Sequence, residues 1–298
     1  MKVFAPEYYE HFKCIADKCT HSCCVGWRIE LDERTFRLYS CAEGEYADEL
    51  KRNIASDNDG KYIPLTDSGR CPHLDSCGLC NIIREYGESY LSDICTHHPR
   101  FYNQTSLGTE AGIGASCPEA ARLILDPCEP NTVIEIAEDE SEAVAPEFDC
   151  TSVREKIFDL LRSENDYTAI EASIWQSIIG TDDIPSLDAL RDAFSDLEYL
   201  NESDKALFSS LCDIGIADST VAKRLLHYFI YRHLADSIDE LDLNARIGFA
   251  LLSVMAVLAL SGSASLTYVD ALVKYSEEIE YSTDNTEAII FEISAILT

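Results

Sequence analysis

The 298-residue chain is predicted to be mostly α, with an irregular cysteine-rich metal-binding domain followed by an all-α helical bundle domain. Three observations carry this expectation. Ten of the thirteen cysteines fall between Cys14 and Cys117. From residue 150 onward, apolar side chains recur at helical spacing and strand signals are nearly absent. Between the two regions, Glu135 to Asp149 contains seven acidic residues and no basic one. The expected division is residues 1–135 for the cysteine-rich domain, 136–149 for an acidic linker and 150–298 for the helical domain.

Hydrophobic residues at 46% and charged residues at 26% describe an ordinary globular chain, long enough to bury a sizeable core. The net charge of -31 argues against nucleic acid as a partner, because neutralising phosphates takes clustered Lys and Arg. Such a surface serves solubility first, and secondarily steers a basic protein partner. The opening MKVFAPEYYEHF lacks the apolar core of a signal peptide, so a cytoplasmic location is expected. Thiols there stay reduced, and an odd count of thirteen favours metal ligation over a disulfide framework.

Taken in order, the first element is Phe12 to Asp32, which places Cys14, Cys19, Cys23 and Cys24 within eleven residues. Adjacent thiols such as Cys23 and Cys24 pair only through a strained ring, so the crowding points to a metal. Trp27 to Leu31 alternates as a short strand does, and Asp32 is placed to cap a helix through Thr35, Phe36 and Tyr39, ending at Cys41. Ala55 to Gly69 holds turn-forming residues and is expected to be loop. Cys71, Cys77 and Cys80 follow, and the two-residue gap of the last pair lets both sulfurs face one ion. Cys80 then opens a helix over Asn81 to Leu91. Cys95 lies just past it, and Pro99 blocks helical continuation. Pro118 at a first helical position and Glu119 at the positive dipole end put Cys117 at an N-cap, where a thiol is acidified.

Ser152-x-x-Glu155 and Thr168-x-x-Glu171 have the form of capping boxes. Further helices are expected around residues 186–199, 203–213, 219–239, 242–261, 268–281 and 284–297. The most apolar run, Ile247 to Leu260, is short for a bilayer and suits a central bundle helix, so no membrane span is expected.

Thiolates ligate both structural zinc and iron–sulfur clusters, and the residues alone leave both open, with His21, His97 and His98 leaning toward zinc. The radical C-x3-C-x2-C pattern is missing, because Gly26 stands where the third ligand belongs. Gly112-Ile113-Gly114 lacks the third glycine of a dinucleotide fingerprint. Trp27, close behind the first cluster, is suited to shielding it or stacking on a ligand, and Arg100 to holding a carboxylate.

Several of these words occur together in one known group. Phe12-Lys-Cys14, Cys23-Cys24-Val-Gly-Trp27-Arg-Ile-Glu-Leu-Asp32, Cys71, Gly78-Leu79-Cys80, Gly87-Glu88, Cys95-Thr-His-His-Pro99-Arg100 and Ser116-Cys117-Pro118-Glu119 resemble the flagellin lysine N-methylases. These belong to a wider set of proteins with a cysteine-rich, zinc- or iron-chelating domain. The resemblance covers about the first 125 residues and departs from the family at His98, where a tyrosine is common. It implies methyl transfer from S-adenosylmethionine to lysine ε-amino groups of a protein substrate, flagellin, with a 4Fe-4S cluster, zinc being the alternative. It implies metal ligands among Cys14, Cys19, Cys23, Cys24, Cys71, Cys80, Cys95 and Cys117, twice what one cubane needs. Trp27 and Arg100 are the candidate donor-binding residues. Glu119 is the candidate base, because a lysine must shed its proton before accepting a methyl group. The competing expectation is a non-catalytic zinc- or iron-binding interaction module.

Overall fold

The chain begins in strand β1 (Lys2–Pro6) and at Lys13 enters a compact unit that runs to Phe101. Residues 1–12 and 102–298 form the other unit. The computed structural model describes residues 2–19, 21–138, 146, 148–181, 183–264 and 266–298.

Within the unit 13–101, strand β2 (Ile29–Leu31) leads into helices α1 (Glu33–Ser40) and α2 (Ala47–Arg52). Strands β3 (Ala55–Ser56) and β4 (Lys61–Ile63) then complete an antiparallel sheet in the order β2-β4-β3, where a loop was expected. Ile29 pairs with Ile63, and both turn into a core shared with Leu31, Tyr39, Leu50 and Ile82. Asp32 caps α1 as its sequence position predicts: its carboxylate accepts from the Thr35 amide at 2.8 Å and the Thr35 hydroxyl at 2.7 Å. The same carboxylate accepts from the Asp93 amide at 2.9 Å, and so also anchors the start of a later helix. Helix α3 (Asn81–Tyr86) is shorter than expected because Gly87, at φ 83°, ends it. Helix α4 (Asp93–His97) follows, capped by Ser92.

The chain leaves this unit through strand β5 (Arg100–Thr105), then forms β6 (Gly108–Ile113), α5 (Pro118–Leu125) and β7 (Val133–Glu138). The sheet order is β5-β6-β1-β7, with β1 parallel to β6 and antiparallel to β7. Gly108 is required there: a Cβ would lie 2.3 Å from the Lys2 carbonyl oxygen.

From residue 150 the described elements are all helical: α6 (Thr151–Ser163), α7 (Tyr167–Ile174), α8 (Arg191–Asp196), α9 (Glu202–Phe208), α10 (Ser219–His233), α11 (Glu240–Ala264), α12 (Tyr268–Tyr275) and α13 (Thr283–Ile296). Neither capping box forms. The N-cap of α6 is Cys150, two residues before Ser152, and α7 is capped by Asp166, whose side chain accepts from the Thr168 amide. Helix α11 packs against α10, α12 and α13. Glu240–Ser263 is long and apolar enough to cross a membrane, and 89% of an apolar 18-residue window within it is buried inside the protein, as a core helix is.

The boundary expected at residues 135 to 150 is corrected by what holds residues 102–138. The Glu110 carboxylate is paired with Arg154 of α6, with both side chains buried. The Tyr231 hydroxyl of α10 donates to the carbonyls of Phe4 at 3.2 Å and Ala111 at 3.1 Å. The Ala115 amide donates to the Tyr228 hydroxyl at 3.0 Å. The sheet and α5 therefore share a core with the helices. Of the acidic linker, residues 136–138 lie in β7, and 139–145 and 147 lie outside the described residues.

Candidate metal centre

Four of the predicted thiols are gathered by the small core of the unit 13–101. Cys71 belongs to that core, and Cys24, Cys80 and Cys95 pack against it. The local fold explains how. Val25 and Arg70 form an antiparallel bridge, the Gly26 amide donates to the Gly69 carbonyl at 3.0 Å, and the Cys71 amide to the Cys24 carbonyl at 2.7 Å. Leu74 bridges to Cys80, which occupies the N-cap of α3, as its sequence position predicts. Cys95 sits in α4, whose start Asp32 holds.

These sulfurs act on one another electrostatically. Burial pushes Cys71 up to about 12, and the neighbouring Cys24, Cys80 and Cys95 add to the rise. Burial likewise pushes Cys95 up to about 11, with Cys24 and Cys80 contributing. Cys80 is raised by burial, against which the backbone N–H groups of Ile83 and Ile82 act. N–H groups directed at a sulfur stabilise its thiolate, the form that ligates metal. Cys23 and Cys24 share a hydrogen bond that raises Cys23 and lowers Cys24 to about 7. Cys95 and Cys14 are also within electrostatic reach of Cys23.

The donors are not drawn in to ligand distance: among the described residues, no group of three His, Cys, Asp or Glu side chains is placed to hold an ion. The chemistry of the set nevertheless fits one. Four thiols inside an apolar shell repel one another as thiolates, and a cation at their centre converts that repulsion into attraction.

The remaining predicted residues are placed as follows. Cys19 donates its thiol to the carbonyl of His21 at 2.6 Å. Cys117 lies in the other unit, at the N-cap of α5, with Pro118 at the first helical position. Trp27 donates its indole N–H to the Cys23 carbonyl at 3.1 Å, and its ring centroid is 6.2 Å from that of His98. Arg100 opens β5, half-buried. Glu119 is held by Arg122 through two hydrogen bonds, at 2.9 and 3.0 Å. His73 was not foreseen as a site residue. It is fully buried, its Nδ1 is 2.8 Å from the Tyr46 hydroxyl, and its Nε2 has no hydrogen-bond partner among the described residues. Its one sequence signal is its place two residues after Cys71.

No protein-family model and no solved structure matches the chain. Curated relatives do. The chain is 30% identical over 136 residues to the flagellar biosynthetic protein FliU of Salmonella muenchen, covering 42% of this chain and 78% of that protein. It is 31% identical over 136 residues to a lysine-N-methylase of Salmonella choleraesuis (strain SC-B67) and 30% identical to one of Salmonella typhimurium (strain LT2). In both cases the match covers 42% of this chain and 33% of the relative, so the chain spans about a third of the length of those lysine-N-methylases.

Proposed function

The chain belongs to the flagellin lysine N-methylase family, and from that premise we propose that it is a protein-lysine N-methyltransferase acting on flagellin, with S-adenosylmethionine as methyl donor. The observation that carries the reading is the convergence of Cys24, Cys71, Cys80 and Cys95 on one core, in a chain whose relatives bear the name lysine-N-methylase. These four residues are the proposed metal ligands, with Cys23 and Cys14 nearest in reserve. A 4Fe-4S cluster bound there supplies redox or Lewis-acid chemistry, whereas zinc with four protein ligands supplies a fixed scaffold.

The chain's own residues carry the rest of the proposal. The lysine nitrogen attacks only as the free amine, so the substrate ammonium must first lose a proton. The new carbon–nitrogen bond then forms as the donor's carbon–sulfur bond breaks, with the electron pair left on sulfur. Glu119, held by Arg122 in the unit that contains residues 102–298, is the proposed base. Trp27 offers a ring face for stacking on the donor, and Arg100 a guanidinium for its carboxylate.

The reading is tested by incubating protein purified without oxygen with methyl-labelled donor and flagellin. Label on flagellin lysines is expected, and its absence from a metal-loaded sample overturns the assignment. A second reading has its own support, because the thiols form part of the core of their unit: a metal staple in a non-catalytic interaction module. That outcome gives tightly bound zinc, four sulfur ligands by X-ray absorption, and no label transfer.

A further inference from the structure

Against a composition of 23 basic and 54 acidic residues, the second unit contains a cavity whose lining charges run the other way. It measures about 490 Å³ and lies between α6, α10 and residues 127–133. Arg162, Lys223 and Arg224 line it against one carboxylate, Glu155, with amide and hydroxyl side chains beside them. That volume lies within the range of small-molecule sites.

The cations are not all neutralised by acids. Lys223 donates to the Glu164 carbonyl at 2.6 Å, and Arg224 donates to the carbonyls of Ile124, Glu129 and Leu123. Carbonyl oxygens take these N–H groups, while the Glu164 carboxylate lies within electrostatic reach of Lys223 and those of Asp126 and Glu129 within reach of Arg224, so the charges are offset only in part. Arg162 is the exception, paired with Asp159 at 2.6 Å and lying 3.6 Å from Glu155.

In the cavity wall lies His227, only 7% exposed, stacked on Phe158 with centroids 4.4 Å apart and planes 19° from parallel. Its ring nitrogens make no hydrogen bond among the described residues, they are not among the sealed polar atoms, and the residue lines the cavity. Burial first, then Arg224, Arg154 and Arg162, push His227 down to about 3, so its imidazole is held neutral. A buried polar group without a partner is costly, and a ligand acceptor or donor relieves that cost.

We propose that this cavity binds a small organic oxyanion, a phosphate monoester or a carboxylate, with its charge on Lys223 and His227 and its body against the Phe158–His227 stack. A neutral imidazole donates one N–H to an oxyanion, the lysine adds a charge-assisted hydrogen bond, and Asn131, Asn165, Thr132 and Thr220 offer further donors in the lining. The site is separate from the cysteine cluster and does not depend on the methyl-transfer reading.

The test is calorimetric titration of the whole chain with inorganic phosphate, adenosine 5′-monophosphate and succinate. Saturable one-site binding with a dissociation constant below about 1 mM is expected for the phosphates or for succinate, and the arm that saturates identifies the source. Lys223→Glu is expected to weaken binding at least about tenfold, whereas Lys205→Glu, outside the cavity, leaves it unchanged. Binding is also expected to shift the imidazole nitrogen resonances of His227. Lys223 is partly exposed and its exchange leaves the core intact, so the test survives should His227→Gln fail to fold. No binding of any of the three at about 10 mM, or undiminished binding by Lys223→Glu, overturns the proposal.

Discussion

The amide of Cys71 donates to the carbonyl oxygen of Cys24 across 2.7 Å, which fixes two cysteines from separate cysteine-rich stretches in one register. Cys80 and Cys95 then join them from the N-cap of one helix and the middle of another. Cys71→Ser and Cys80→Ser are each expected to lower metal affinity by at least about tenfold. Cys77→Ser, whose exposed side chain lies away from this core, leaves it unchanged. Competition with a chromophoric chelator on protein purified without oxygen measures both.

Glu110 and Arg154 form a buried pair between β6 and α6. Glu110→Gln leaves a guanidinium without its counter-charge, and a loss of about 3–5 kcal/mol is expected. The double replacement Glu110→Leu with Arg154→Met is expected to cost less than the sum of the single changes, because no charge is stranded. Urea denaturation followed by circular dichroism gives the three values.

Glu278 sets a pH trend. Burial raises its carboxyl from 4.5 to about 7, with Asp204 adding to the rise and the Leu200 amide opposing it. A carboxyl raised on folding binds more protons in the native state. Its contribution to stability is full below the unfolded value and is lost as pH climbs from about 4.5 to about 7. Glu278→Gln keeps an acceptor for the Leu200 amide, 2.8 Å away, and cannot ionise. The melting temperature of the variant relative to the parent is expected to rise across that window, and a flat difference refutes the assignment.

Gly248 lies in α11 where a Cβ would be 2.9 Å from Ile293 Cγ2 and 3.2 Å from Trp175 Cη2. Alanine improves helix propensity by about 1 kcal/mol, but overpacking a closed contact costs about 1–3 kcal/mol. Gly248→Ala is therefore expected to be neutral to destabilising by thermal melting, the reverse of what an exposed helical glycine gives.

The parts of this fold legible in the sequence are those governed by near neighbours. Asp32 caps α1, Cys80 opens α3 and Cys117 precedes Pro118 at the head of α5, because capping depends on residues within one turn. The helices of the second half follow from their periodicity. The four-stranded sheet was not legible, because Val3 pairs with Thr109 and Pro6 with Val133, and no local pattern announces such partners. The division of the chain was misplaced for a related reason: Glu110 and Arg154 look like surface ions until each is seen to bury the other. Of the eight candidate thiols, sequence proximity suggested the group, but the selection of Cys24, Cys71, Cys80 and Cys95 required backbone pairing that spacing does not reveal.

Strand β1 sits between β6 and β7. On a ribosome its backbone groups therefore wait, unmatched, until residues beyond 108 have been synthesised, and its second neighbour arrives only with Val133. The segment 13–101 is contiguous in the chain, so every partner within that unit has been synthesised by then. The pairing of β1 therefore waits on residues that follow the whole cysteine-rich unit, whereas the proposed ligands Cys24, Cys71, Cys80 and Cys95 are all made before those residues.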